Sequence, residues 1–431
     1  MVAIVIISVV GVLGMLTCLA FFPTINVGKV RLQTFWMPPF ISAIILLCSS
    51  LVPWSYFSDF LLSKSVINPL EILALFLSMS FISIVLDEAG FFSYLASRVV
   101  KKAGSSQLKV FLFLYLLTSL LTIFTSNDII ILTFTPFLIY FCKRTGVDPI
   151  PYLVGEFVAA NTWSMLLLIG NPTNIFLGES FGINFIDYLF TMWPSALLSG
   201  VVSFAIMFLL FRNKLKIPFK TSIDIEISPI KDVPLMIGSL TCLLVCILLM
   251  ALANLFSWSL WLISVCAALV LLVFSLIYIV IKKKQAPLLG HSLTRLPYEV
   301  IPFVLAMFVL VLALKKSGIT ASLAALLDAY TPLWSYGLSS FLSCNLVNNI
   351  PTSVLYLEVI RDGNTLTQAV YATIIATNIG AVLTPVGALA GIMWMGLLKG
   401  HGISYSFIKF IKYGVLIAIP TLVVALLCLY L

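Results

Sequence analysis

The chain has 431 residues, 61% hydrophobic and 9% charged, with a formal net charge of +8. A soluble domain carries about 25% charged residues, so this composition excludes a soluble globular protein. Apolar runs of about 20 residues recur from end to end, and no stretch of mixed polarity is left for a separate soluble domain.

The N-terminal run "MVAIVIISVVGVLGMLTCLAFF" has no basic segment before it and no small-residue cleavage site after it, so it reads as a retained first span. Further spans are predicted near 35–57, 68–86, 150–178, 188–211, 233–256, 258–281, 297–314, 369–398 and 408–431. Hairpin-like segments fall at 108–142 and 332–360. With both termini outside, 20 of the 24 lysines and arginines lie in inside loops, from Lys29 and Arg31 through Lys220, Lys283 and Lys284 to Lys412. Outside remain only Lys64, Lys315, Lys316 and Arg361. Such a bias fixes orientation, so the positive charge is topological and points to no nucleic acid partner. The expected location is the plasma membrane, with the bilayer as the main partner.

Motifs for other chemistry are missing. The eight cysteines are scattered; Cys242 and Cys246 share a helix face and read as core packing. His291 and His401 have no metal-ligand spacing, so no metal and no cofactor is expected. The chain has no GxxxxGK followed by Ser or Thr, no HExxH and no GxSxG, which argues against an ATP-driven pump or an enzyme.

The two halves repeat. "LDEAGFFSYLASRVV" (86–100) aligns with "LKKSGITASLAALLD" (314–328) on Gly90 and Gly318. "FTSNDIIILTFTP" (124–136) aligns with "LVNNIPTSVLYLE" (346–358), pairing Asn127–Asp128 with Asn348–Asn349. "ANTWSMLLLIGNP" (160–172) aligns with "TNIGAVLTPVGAL" (377–389), pairing Asn161 with Asn378 and Gly170 with Gly387. "GINF" (182–185) aligns with "GISY" (402–405). Five spans and one hairpin per half put the second half in the opposite sense. The fold class is therefore all-α and polytopic, with inverted repeats at 1–220 and 221–431, as in many secondary transporters. Each repeat holds five transmembrane helices, one re-entrant hairpin (108–142, 332–360) and a broken helix (150–178, 369–398).

Irregular backbone survives in a bilayer only where protein or a wet cavity surrounds it. Four such breaks occur: "TSND" (125–128), "NLVNNIPT" (345–352), "ANTW" with "GNPTN" (160–163, 170–174), and "ATNIG" with "TPVG" (376–380, 384–387). The candidate solute- or ion-binding residues are Ser126, Asn127, Asp128, Asn161, Thr162, Asn171, Thr173, Asn348, Asn349, Thr352, Asn378 and Thr384. A single intramembrane asparagine is as often a helix–helix bond as a ligand, and the case for these rests on their symmetric pairing. Asp128 is the only ionisable side chain at a break, hence the first coupling candidate, for H⁺ or alternatively Na⁺. Glu156 is the second. Asp87, Glu88, Lys315 and Lys316 sit at helix ends, where structural or snorkelling roles are expected. Trp163 either walls the site or packs.

"LDEAGFF" (86–92), "SNDIIILTFTP" (126–136), "NNIPTSVL" (348–355) and "TNIGAVLTPVGALAGIMW" (377–394) resemble the arsenite permease family, part of the ion transporter superfamily that also holds citrate, dicarboxylate and sodium/proton carriers. The resemblance implies opposed hairpins whose tips and unwound helices bind solute and ion: Ser126, Asn127 and Asp128 at one, Asn348, Asn349 and Thr352 at the other, with Asn161 and Asn378 in the broken helices. There are departures. Arsenite permeases often carry Asp where Asn161 and Asn378 stand here, and Pro-Lys at Ala381–Val382. "GNPTN" is closer to broader anion transporters. Dicarboxylate carriers read Ser-Asn-Thr at the tips, and an aspartate there repels a dianion unless protonated or cation-paired.

The function expected is proton-coupled efflux of arsenite or a related oxyanion by alternating access. Rival readings are a sodium-coupled citrate or dicarboxylate carrier, a sodium/proton antiporter, and a passive channel or membrane subunit docking an ATPase. A homodimer and an accessory ATPase are compatible partners beside the small inorganic or organic anion.

Overall fold

The computed structural model describes residues 2–22, 24–27, 30–62, 68–104, 106–217, 219, 227–282, 287–364 and 366–430. Lys29, Lys64, Lys220, Lys283 and Lys284, and the expected repeat boundary at 220–221, lie outside the described residues.

The first half runs α1 (Val2–Phe21), a two-stranded ribbon of β1 (Thr24–Val27) and β2 (Val30–Gln33), α2 (Met37–Cys48), α3 (Trp54–Leu62), α4 (Pro69–Glu88) and α5 (Phe91–Ala103). It continues with α6 (Gln107–Phe124), α7 (Asn127–Thr145), α8 (Ile150–Trp163), two short 3-10 turns, α9 (Pro172–Ser180) and α10 (Phe185–Leu215). The second half runs α11 (Val233–Phe256), α12 (Leu260–Lys282), α13 (Pro287–Thr294), α14 (Val300–Lys316) and α15 (Ile319–Asp328). Then come α16 (Pro332–Val347), α17 (Asn349–Asp362), α18 (Leu366–Gly380), a 3-10 turn at Pro385–Gly387, α19 (Leu389–Gly400) and α20 (Phe407–Leu427).

Among the described residues seven helices (α1, α4, α6, α10, α11, α12 and α20) are long and apolar enough to cross a membrane. The α14–α15 pair, bent by 77°, makes an eighth when counted as one broken span. The predicted span 35–57 is corrected: it is not one helix, because Ser50 turns to positive φ and Pro53 precedes α3, leaving α2 at 12 residues. The amphipathic helix α5 occupies what sequence left as a loop.

The duplication is visible in the packing. α2 packs on α14 as α12 packs on α4; α9 packs on α17 as α19 packs on α7; α6 packs on α8 as α16 packs on α18. Both α5 and α15 start after a glycine at positive φ, Gly90 and Gly318. The halves are also inverted. Glu88, at the end of α4, meets Arg295, which stands just before α14 begins. Ser195, early in α10, bonds Ala425 late in α20, while Phe211 and Tyr413 meet at the opposite ends. Corresponding helices therefore run antiparallel.

The breaks form where sequence demands them. Pro172 follows Asn171 in extended conformation and starts α9 without needing an N–H donor. Gly170 permits close approach: a Cβ there would sit 2.2 Å from Ser164 O. Its repeat partner Gly387 would meet Gly380 O at 2.7 Å. Both broken helices are folded back on their own backbone.

Candidate functional site

The first hairpin breaks at Thr125–Ser126, between α6 and α7, and the second at Asn348 alone, between α16 and α17. Since α7 opens at Asn127 and α17 at Asn349, these two residues are the structural counterparts. The sequence pairing of Asn127–Asp128 with Asn348–Asn349 is corrected by one position, because the second turn is one residue shorter. Asp128 thus faces no acidic or amide partner across the repeat; its counterpart is Ile350.

Asn127 donates its amide to Asn161 Oδ1 at 3.1 Å, tying the hairpin tip to the first broken helix. Asn161 donates in turn to Phe157 O at 2.8 Å. The two broken helices meet at Ser164, whose Oγ lies 3.0 Å from Asn161 O and 2.9 Å from Asn378 Oδ1. Asn378 Oδ1 also accepts from Asn171 Nδ2 at 2.9 Å, and Asn378 Nδ2 donates to Asn174 Oδ1 (2.6 Å) and Ile374 O (2.8 Å). Asn174 holds the unwound loop through Ser164 O and Leu167 O. Asn171 caps α9 by accepting from Thr173 N at 3.2 Å. On the second hairpin, Asn348 Nδ2 donates to Val386 O at 3.0 Å, Thr384 donates to Asn345 Oδ1 at 2.8 Å, and the Thr352 and Ser343 hydroxyls lie 3.3 Å apart.

This geometry divides the candidates by hydrogen-bonding capacity. A primary amide has two donor hydrogens and an acceptor oxygen with two lone pairs, and Asn378 uses all four. Asn378 and Asn171 therefore hold the crossing together. By contrast, Ser126 Oγ, Asn127 Oδ1, Thr162 Oγ1 and Asn349 Oδ1 are buried without a partner among the described residues. Each orphaned buried polar atom costs about 1–3 kcal/mol, so their occurrence at the helix breaks marks places for a donor or cation. Asp128, partly exposed in the first turn of α7, has no hydrogen bond or ion pair among the described residues. No lysine or arginine belongs to any of the four breaks.

Glu156 is not part of this tip. It lies five residues down α8 from Asn161, buried, with Thr135 Oγ1 3.0 Å from both carboxylate oxygens. Trp163 packs: its indole donates to Tyr115 OH at 3.1 Å and its ring abuts Gly200. Lys315 does not snorkel, being paired with Glu358 and, at 3.7 Å, Asp362. Asp87 and Glu88 both pair with Arg295, at 2.7 and 2.5 Å. Sequence reasoning missed Ser164, Asn174 and Asn345, although "GNPTN" and "NLVNN" carry the last two.

A family model described as citrate transporter matches residues 1–370. An arsenical pump membrane protein of Escherichia coli K12 is 27% identical over 371 residues, covering 82% of this chain and 84% of that protein. A 46 kDa membrane protein of Mycobacterium leprae is 26% identical over 374 residues, with the same coverage. Among solved structures, the Alcanivorax borkumensis YdaH transporter superposes with a TM-score of 0.60 at 13% identity, over 99% of this chain and 97% of that one. That likeness is one of fold. Inverted packing, paired breaks and a family model spanning most of the sequence agree: the chain is a multi-pass membrane transporter and belongs to the citrate transporter family.

Proposed function

We propose that the protein exports arsenite, or a closely related uncharged or weakly charged oxyacid, in exchange for protons. The observation that carries this reading is a set of buried hydroxyl and amide oxygens, without a partner among the described residues, at breaks that contain no basic side chain. Arsenous acid is neutral at neutral pH and offers hydroxyl donors to such acceptors. The name of the Escherichia coli relative supports the same solute. Asp128, the one carboxylate at the breaks, carries the coupling proton, and the halves exchange conformations to expose the site alternately. The repeats divide near 220, and the basic end of the molecule faces the cytoplasm.

A second reading is favoured by the family description: sodium-coupled transport of citrate or another carboxylate, with Na⁺ held by the same oxygens. Purified protein in proteoliposomes separates the two. Arsenite movement driven by an imposed pH gradient supports the first reading. Citrate or succinate accumulating under a sodium gradient, with arsenite immobile, overturns it.

A further inference from the structure

Three polar contacts step along the length of α8, turning around its axis so that Tyr152 and Asn161 leave opposite faces. Near its start Tyr152 donates to Gln107 Oε1 at 3.0 Å, where α6 begins beside Lys109 at the basic end. One turn on, Glu156 meets Thr135 of α7. Five residues further, Asn161 meets Asn127 at the hairpin tip. At 1.5 Å per residue the rises are about 6 and about 7.5 Å. Thr135 is likewise two turns along α7 from Asp128.

Glu156 stands out in this ladder. It is 2% exposed and has no ion pair among the described residues. The donors that face it there are neutral: the Thr135 hydroxyl, within bonding distance of both oxygens, and, less well placed, the Trp394 indole of α19. No cation pairs with it among the described residues, and an unpaired charge in such a place is very costly. A protonated carboxyl fits, because its own O–H then bonds the hydroxyl oxygen of Thr135.

A gap beside Glu156, too tight to hold a water, is lined by Phe111, Leu114, Tyr115, Thr118, Tyr152 and Gly155, so that Glu156 and Tyr152 border one void. The titratable groups sharing that gap are Tyr115 from α6 and Tyr152 from α8. From α7 come Asp128 and Cys142, each two turns from Thr135, while Lys143 and Arg144 lie exposed at its far end. α10, α18 and α19 contribute no residue to the gap.

From this geometry we infer that Glu156 and Thr135 form a proton-binding site, separate from the solute site, that the coupling proton occupies between the basic end and the hairpin tip. The inference rests on the proton-coupled reading for its role in transport. Binding itself is simple: a proton arriving along the Tyr152 side forms the O–H of Glu156, and its departure restores the carboxylate.

The test uses the full-length purified protein. Infrared difference spectra between acid and alkaline buffer should contain the C=O stretch of a buried, protonated carboxyl. Glu156→Gln should remove that band, Glu156→Asp should restore one, and Thr135→Val should shift its frequency by removing the hydroxyl partner. In proteoliposomes, Glu156→Gln should lower pH-gradient-driven flux by about tenfold or more and flatten its pH profile. A band unchanged in Glu156→Gln, or a wild-type pH profile in that variant, overturns the inference. If wild-type protein shows no pH-driven flux yet loses the band on substitution, the proton site stands and the proton-coupled transport reading falls.

Discussion

Asn348 holds its backbone at φ +82° and ψ 156°, a region that non-glycine residues rarely adopt. Such strain costs of order 1–3 kcal/mol and persists where the surroundings over-determine it. Here the surroundings are two bonds from its own side chain: Nδ2 to Val386 O, and Oδ1 accepting from Ile350 N at 3.3 Å. Asn348→Ala keeps the strain and loses both bonds, so thermal unfolding in detergent should show a loss of about 2 kcal/mol. Asn348→Gly relieves the strain and should be closer to wild type in stability; equal losses in the two variants would refute this account. Asp128 is the other residue whose placement asks for a function, being a carboxylate at the tip with no hydrogen bond or ion pair among the described residues. Asp128→Asn should abolish the dependence of arsenite flux on pH, measured in proteoliposomes across a pH series. A wild-type profile would remove Asp128 from the coupling step.

At the scale of elements, the broken helices depend on backbone running against backbone. Gly170→Ala places a methyl 2.2 Å from Ser164 O, and no flexible side chain can yield there. The expected cost is about 2–3 kcal/mol or misassembly, read as loss of monodisperse protein on size exclusion. A Cβ at Gly178 meets only the end of the Leu168 side chain, so Gly178→Ala should be milder. Elements are also held together within the second half by charge. Lys315 at the end of α14 reaches Glu358 and Asp362 on α17, and Thr320 donates to Asp362 at 2.6 Å. Glu358 is 2% exposed, so Lys315→Met strands a buried charge and should cost about 3 kcal/mol. The double variant Lys315→Met with Glu358→Gln should recover much of that loss; additive losses would mean that the pair is not coupled.

For the whole molecule, the two ends carry unlike versions of one arrangement. At the basic end Asp87 of α4 accepts from Thr133 of α7 at 3.0 Å and pairs with Arg295. At the other end Lys315 of α14 pairs with α17. Corresponding helices are thus tied to corresponding hairpin legs, but with charges exchanged and with the second half supplying Arg295 to the first. The halves are locked at the basic end by Arg295 pairing with Asp87 and Glu88, and at their centre by the Asn378–Ser164–Asn171 crossing.

Sequence by itself determined the membrane class, the two halves, both hairpins and both broken helices. Each rests on local chemistry that needs no neighbour: apolar run length, proline's missing donor, and small polar residues where a lipid-facing helix cannot carry them. It also marked Asn127, Asn349, Asn161 and Asn378, because a repeated polar residue in an apolar run stands out twice. Sequence could not show the one-residue register of Asn127 with Asn349, which depends on how tightly each tip turns. Nor could it show that Asn378 is saturated while Asn127 keeps a free oxygen. Hydrogen-bond capacity is used up by residues about 200 positions away, such as Ser164 and Asn171. Only packing in three dimensions decides which buried polar atoms are left open, and those open atoms are where the candidate site lies.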